Sequence, residues 1–309
     1  MSAPRYTLIQ GDFYILYPDL PRQGPEPDGD TVTFLPDQDD LVRRLRRFSG
    51  TWPDRKHLGT YSVRFESIDA LETHFAGHHQ QLGLAQAARD LMLQRLGFGR
   101  VEFDPARPNK VASAEHHPVR GYLLANGIES NGRVLGLVYA GDPPPGEADG
   151  QRVFVAADRL DDSVNAALVA AGLAYVEVYH TMPLALIRRM RELVGSARAQ
   201  GAGLWPKESV TLTTAVAPHA ADDLDDFVIF PKLYRRLVSF FTETGLTDLT
   251  TFDSWVRADP VHRDDRALLL SGEVGNLHDL YEVTGCGADA AVQLRGFPED
   301  MIFDPDPAA

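Results

Sequence analysis

Arg64-Phe65-Glu66-Ser67-Ile68-Asp69-Ala70-Leu71-Glu72 reads as a short strand that runs into a tight acidic turn. It sets one guanidinium among three carboxylates within a single stretch of backbone. These are the groups needed to hold a phosphodiester, a hard metal ion and an attacking water together. Strict strand alternation puts Arg64 and Asp69 on opposite faces. The chain must therefore bend or bulge near Ser67 and Ile68 if both are to meet one phosphate.

Upstream, Tyr6 to Tyr17 alternates loosely and suggests a strand, and a Pro/Gly-rich loop separates it from Asp28-Gly29-Asp30-Thr31-Val32-Thr33-Phe34. There a tight turn opens a second strand, with Asp28 and Asp30 on one side if the strand reaches back that far. Residues 38–48 have the apolar spacing of a short amphipathic helix, and residues 72–79 are expected to begin a helical region that continues through 84–96. Val101-Glu102-Phe103 reads as a strand and 105–118 as a polar loop. Asn131-Gly132 marks a hairpin turn between strands at 122–124 and 133–139. Helices follow at 163–171 and 184–200, with a strand at 173–179 between them. The segment 207–226 has the composition of a linker. Beyond it, 231–242 and 251–257 read as helices, and 267–270, 290–294 and 301–303 as strands.

The 309 residues are 44% hydrophobic and 24% charged, the composition of a folded chain with a substantial core. No stretch has the twenty apolar residues of a membrane span, and the N-terminus lacks signal-peptide features, so no membrane partner and a cytoplasmic location are expected. The single cysteine, Cys286, excludes an internal disulfide and a multi-cysteine zinc site. The net charge of -14 is uneven: residues 207–309 hold 8 Lys/Arg against 19 Asp/Glu, whereas residues 1–206 hold 22 against 25. An acidic chain of this kind still permits nucleic-acid binding by its first two thirds, because binding follows the local field.

Five motifs occur in one order: D-G-D-T-V at 28–32, V-R-F-E-S-I-D-A-L-E at 63–72, N-G-R-V-L-G-L-V-Y at 131–139, V-N-A-A-L-V-A-A-G-L-A at 164–174 and G-L-W at 203–205. In that order they resemble the staphylococcal (thermonuclease-like) nuclease family over about residues 5–206. The resemblance implies an α+β fold, an OB-type five-stranded β-barrel with flanking helices, here followed by a C-terminal mixed α/β extension. The expected organisation is a nuclease-like domain at 1–206, a linker at 207–226 and an acidic extension at 227–309. The resemblance also implies calcium-dependent hydrolysis of DNA or RNA phosphodiesters to 3′-phosphate products. Asp30 and Asp69 match its calcium-binding carboxylates, and Ala70 the residue whose backbone carbonyl reaches the metal. Glu72 matches the carboxylate that directs the attacking water. Arg64 and Arg133 match the arginines that hold the phosphate.

Chemistry agrees with these roles, since calcium takes several oxygen ligands and guanidinium forks fit phosphoryl oxygens bidentately. Two positions depart from the family. Leu71 replaces a usual proline, which loosens the turn carrying Glu72, and Asn131 stands where an aromatic residue often lies near the nucleotide. Tyr179 and Tyr175 are the nearest aromatic substitutes. Glu66 matches no family role. The alternative reading is a non-catalytic nucleic-acid- or protein-binding module on the same barrel; retention of Asp30, Arg64, Asp69, Glu72 and Arg133 favours the enzyme. His74, His78 and His79 have a spacing that on a helix permits zinc, but no third ligand is apparent, and a polar surface cluster is the simpler reading. Phe227, Phe230, Tyr234, Phe240 and Phe241 read as core or as a subunit interface, leaving homo-oligomerisation through the extension open.

Overall fold

The computed structural model describes residues 6–20, 22–269 and 272–304. The first eight strands are β1 Tyr6–Tyr14, β2 Thr31–Pro36, β3 Tyr61–Phe65, β4 Ile68–Ala70, β5 Val101–Asp104, β6 Arg107–Ala114, β7 Val119–Ile128 and β8 Val134–Ala140. Five of them close a mixed barrel. β1 pairs antiparallel with β2 and β7, β2 with β3 and β7 with β8, while β3 and β8 run parallel. This is the OB-like architecture that the sequence implied, with a further α/β region after it. Closure leaves no free edge between the five strands. Every residue of β3 is buried, Tyr61, Val63 and Phe65 in the hydrophobic core and Ser62 and Arg64 under polar partners.

The helices of this half are α1 Asp39–Arg43, α2 Leu82–Leu96, α3 Ala157–Asp161, α4 Val164–Ala170 and α5 Leu184–Ala199. Each main one has a local cause. The Gln81 side chain caps α2 by accepting from the Leu84 N–H, and Gly97, at φ 93°, ends it in the left-handed region. Ser163 caps α4 through the Ala166 N–H. Leu186, Ile187, Met190, Val194 and Ala197 form the buried stripe of α5. Asn165 of α4 is fully buried and acts as a rivet. It accepts from the Val138 N–H and donates to the carbonyls of Glu66 and Gly136, tying the helix to the turn after β3.

Three expectations about local structure need correction. Residues 72–79 form no helix: Ala76 (φ 51°) and Gly77 (φ 91°) are consecutive left-handed residues, which a right-handed helix excludes. Residues 107–114, expected as loop, form β6 and pair with β5. The helix at 38–48 stops at Arg43, because Arg47 forms a bridge to Ile128 and the Phe48 N–H donates to the Ile128 carbonyl.

Short strands β9 Arg152–Val153, β10 Ala174–Val176 and β11 Val178–Tyr179 lead into the C-terminal region. It contains α6 Pro231–Thr244, α7 Phe252–Arg257, and strands β12 Arg266–Leu269, β13 Val274–Asn276, β14 Tyr281–Thr284, β15 Ala291–Leu294 and β16 Met301–Phe303. Leu270, the expected end of β12, lies outside the described residues. β11 pairs in parallel with β16, joining the region to the barrel side, and Val216 bridges to Val292. Phe230, Tyr234, Phe240 and Phe241 are buried, so this aromatic stripe is core. Among the described residues no helix is long and apolar enough to cross a membrane.

Glu66 lies fully buried behind β3, where its carboxylate accepts from Asn126. Burial pushes its pKa up to about 7, against the opposing hydrogen bond of Asn126 and the nearby Tyr6 hydroxyl. The unfolded chain ionises near 4.5, so this residue destabilises the fold progressively as pH rises from about 4.5 to 7. At pH 8 the contribution is about 3 kcal/mol. Glu66→Gln, which keeps the acceptor for Asn126, is expected to match the parent near pH 5 and exceed its stability by about 2–3 kcal/mol at pH 8. Urea unfolding at both pH values measures this, and equal stability at pH 8 contradicts it.

Candidate active site

The bend required between Arg64 and Asp69 is made by Ser67, which adopts φ 63° between β3 and β4. It carries the chain out of the barrel, and β4 then pairs with β10. Arg64 and Asp69 meet as a result, Nη2 donating to Oδ1 at 2.7 Å. The same guanidinium donates through Nη1 to Asp30 Oδ2 at 2.7 Å and through Nη2 to Glu177 Oε2 at 3.0 Å. Asp30 is held close by Gly29, where an added Cβ would lie 2.5 Å from the Ala70 Cβ and 2.8 Å from the Ala88 Cβ. Only glycine allows that approach. The Ala70 N–H, 3.0 Å from Asp30 Oδ2, completes the contact.

Glu72 follows Leu71, whose side chain is buried in the core. What proline would do by restricting the backbone is done here by Gln80. Its side chain accepts from the Glu72 N–H at 3.1 Å, its own N–H donates to the Glu72 carbonyl at 3.0 Å, and its Nε2 donates to the Ile229 carbonyl at 2.7 Å. The turn is thus anchored to the C-terminal region. The three histidines lie on it without sharing a helical face; His78 Nδ1 is 3.2 Å from Asp225 Oδ1.

The C-terminal region also reaches into the site from above. Lys232, Arg235 and Arg236 occupy one face of α6, as their i, i+3, i+4 spacing requires. Arg235 holds Asp69 with both terminal nitrogens, Nη1 to Oδ1 at 3.2 Å and Nη2 to Oδ2 at 3.0 Å, and Nη1 also donates to Glu72 Oε1 at 2.6 Å. Lys232 Nζ lies 2.8 Å from Glu177 Oε1, which also accepts from the Tyr179 hydroxyl at 3.0 Å. Arg236 pairs with Asp265 at 2.8 Å. Although residues 207–309 are acidic overall, the surface they present here is basic.

Asp30, Arg64, Glu72, Glu177, Lys232 and Arg235 line a cavity of about 650 Å³, and the fully buried Asp69 is bonded to Arg64 and Arg235 of that lining. Arg133 also lines the cavity, beside Asn131, and pairs with Glu129, Nε to Oε1 at 3.2 Å. It shares the cavity with Arg64 and makes no bond to Asp30, Asp69 or Glu72. Tyr179 lines the cavity too, whereas Tyr175 is fully buried between Trp205 and Phe230. The strand breaks at Glu177, so the two tyrosines do not share a face.

Charge decides what the cavity can accept. Asp28, Asp30, Asp69, Glu72 and Glu177 face Arg64, Lys232 and Arg235; with Asp28 held protonated near neutral pH, four carboxylates against three cations leave one negative charge. Burial raises the Asp28 pKa to about 8, with the charges of Asp30 and Glu72 adding to it. Burial raises Asp69 and Glu72 as well, with Arg235 opposing it in both. At Glu177 the order reverses: Lys232, Arg64 and Arg235 overcome burial and hold it down to about 2. Hard oxygen donors and an excess of negative charge fit a divalent cation such as calcium. The geometry is less open. Among the described residues no group of three or more His, Cys, Asp or Glu side chains is arranged to hold a metal ion. Both oxygens of Asp69 already accept from guanidinium groups.

Gln80, Glu177, Lys232 and Arg235 escaped the sequence reading. The one signal that pointed toward α6 was its basic triplet, which reads equally well as a solvated helix face. Residues 62–207 match the family model described as Staphylococcal nuclease homologue. That span includes Arg64, Asp69, Glu72, Arg133 and Glu177, begins after Asp30, and ends before α6. No curated protein matches the chain.

Proposed function

We propose that the chain hydrolyses phosphodiester bonds of DNA or RNA, with calcium as the cofactor and 3′-phosphate products. The observation that carries this reading is the convergence of Asp30, Arg64 and Glu72 on one cavity that Arg133 also lines, with the fully buried Asp69 bonded to Arg64. Asp30, Asp69 and the Ala70 carbonyl would hold calcium, which when bound supplies a fixed positive charge against phosphoryl oxygens and the attacking water. Glu72 directs the water and takes its proton. Arg64 and Arg133 donate to the phosphoryl oxygens as their charge grows, which requires Arg64 to exchange carboxylate partners for phosphate. Tyr179 lies close enough to the cavity to contact the nucleotide.

The non-catalytic alternative has one observation in its favour: all the described partners of Arg64 are carboxylates, so the cluster already serves as an ion-pair joint between barrel and α6. Cleavage of single-stranded DNA and of plasmid by the full chain, in calcium and in chelator, separates the readings. Cleavage that needs calcium is expected. Cleavage undiminished by chelator removes the calcium role, and no cleavage under either condition favours the binding module.

A further inference from the structure

We infer that Arg235 is a built-in competitor for the cation site: the C-terminal region supplies a guanidinium that must give up Asp69 and Glu72 before a divalent cation can bind there. The inference rests on the cation-binding part of the function proposed above. It starts from a conflict of valence. Asp69 is fully buried and offers two oxygens; Oδ2 accepts from Arg235, and Oδ1 from both Arg235 and Arg64. Glu72 Oε1 accepts from the same Arg235 nitrogen. A cation bound to Asp69 would share an oxygen with a guanidinium and face its like charge at close range.

The competitor is firmly mounted. α6 is fixed by the buried side chains of Leu233, Tyr234, Leu237, Val238 and Phe240, and by Pro231 at its first turn. Its position leaves Arg235 only side-chain freedom, so cation binding displaces a side chain while the helix stays seated. The displaced guanidinium remains within the cavity that holds Arg64 and Arg133, where a phosphate can receive it. Competition of this kind is reciprocal: whatever Arg235 takes from cation affinity, the bound cation takes from the hold of α6 on Asp69.

Calorimetric titration of calcium chloride into the full chain tests this without reference to activity. Arg235→Ala is expected to bind calcium at least tenfold more tightly than the parent, and Arg235→Lys, which keeps the charge without the fork, to fall between them. Arg236→Ala removes the same charge from the same helix, but Arg236 is bonded to Asp265 and the Arg263 carbonyl, so a change below threefold is expected. Arg235→Gln serves if the alanine variant does not fold. Tightening no greater in the Arg235 variants than in Arg236→Ala overturns the inference, as does absence of calcium binding in parent and variants alike. If the parent cleaves DNA in calcium while its affinity ignores Arg235, the competitor falls and the nuclease stands. Tighter binding in Arg235→Ala without cleavage by any protein has the opposite meaning.

Discussion

Glu72→Gln is expected to lower kcat for phosphodiester cleavage by about 10²–10⁴-fold while changing KM by less than about threefold. The substitution isolates proton transfer because little else moves. The backbone at Glu72 is held on both sides by Gln80, and the buried Leu71 fixes the turn before it. A glutamine oxygen still accepts from Arg235, so the side chain keeps its partner. What disappears is the ability to take a proton from water. Burial raises the Glu72 pKa, with Arg235 opposing, which moves the carboxylate towards the range useful for a base working near neutrality. Single-turnover cleavage of a single-stranded oligonucleotide, beside a thermal melt that shows the variant folded, measures the effect. A variant with kcat within threefold of the parent removes Glu72 from the role of base.

The barrel and the acidic turn were legible because their causes are local. Val63 to Phe65 alternates with the pleat, Asp28-Gly29-Asp30 is turn chemistry opening a strand, and Asn131-Gly132 makes the hairpin. The need for a bend between Arg64 and Asp69 followed from strand period alone, and Ser67 supplies it. The roof of the site was not legible, because its residues acquire meaning only through contacts across more than a hundred positions. Arg235 lies 166 residues from Asp69, and Gln80 lies 149 from the Ile229 carbonyl that anchors it. The looseness expected from Leu71 follows from backbone chemistry, but the Gln80 side chain, itself anchored by the distant Ile229 carbonyl, holds the turn. Helix 72–79 failed for a different reason: Ala76 adopts a left-handed conformation that its residue type does not announce.

Arg64→Ala is expected to act twice, on the reaction and on the fold. Loss of a guanidinium that meets growing phosphoryl charge lowers kcat by about 10²–10³-fold. The same change strips Asp30 of its one described cationic partner and leaves Asp69 and Glu177 to Arg235 and Lys232. Breaking a buried pair on one side costs about 3–5 kcal/mol, a fall in melting temperature of roughly 5–8 °C for a chain of this size. Arg64→Lys restores charge, but a single ammonium cannot span three carboxylates and should recover only part of the stability. Calcium separates the two consequences. With Arg64 gone, Asp30, Asp69, Glu72 and Glu177 face only Lys232 and Arg235 of the described cations at this cluster, so a divalent ion should raise the melting temperature of Arg64→Ala more than that of the parent. Its activity should stay low even so, because the calcium offsets charge without replacing the phosphate donor. Thermal melts of both proteins in calcium and in chelator decide the matter. A variant that melts within about 2 °C of the parent in chelator would mean that the carboxylates are not held by Arg64.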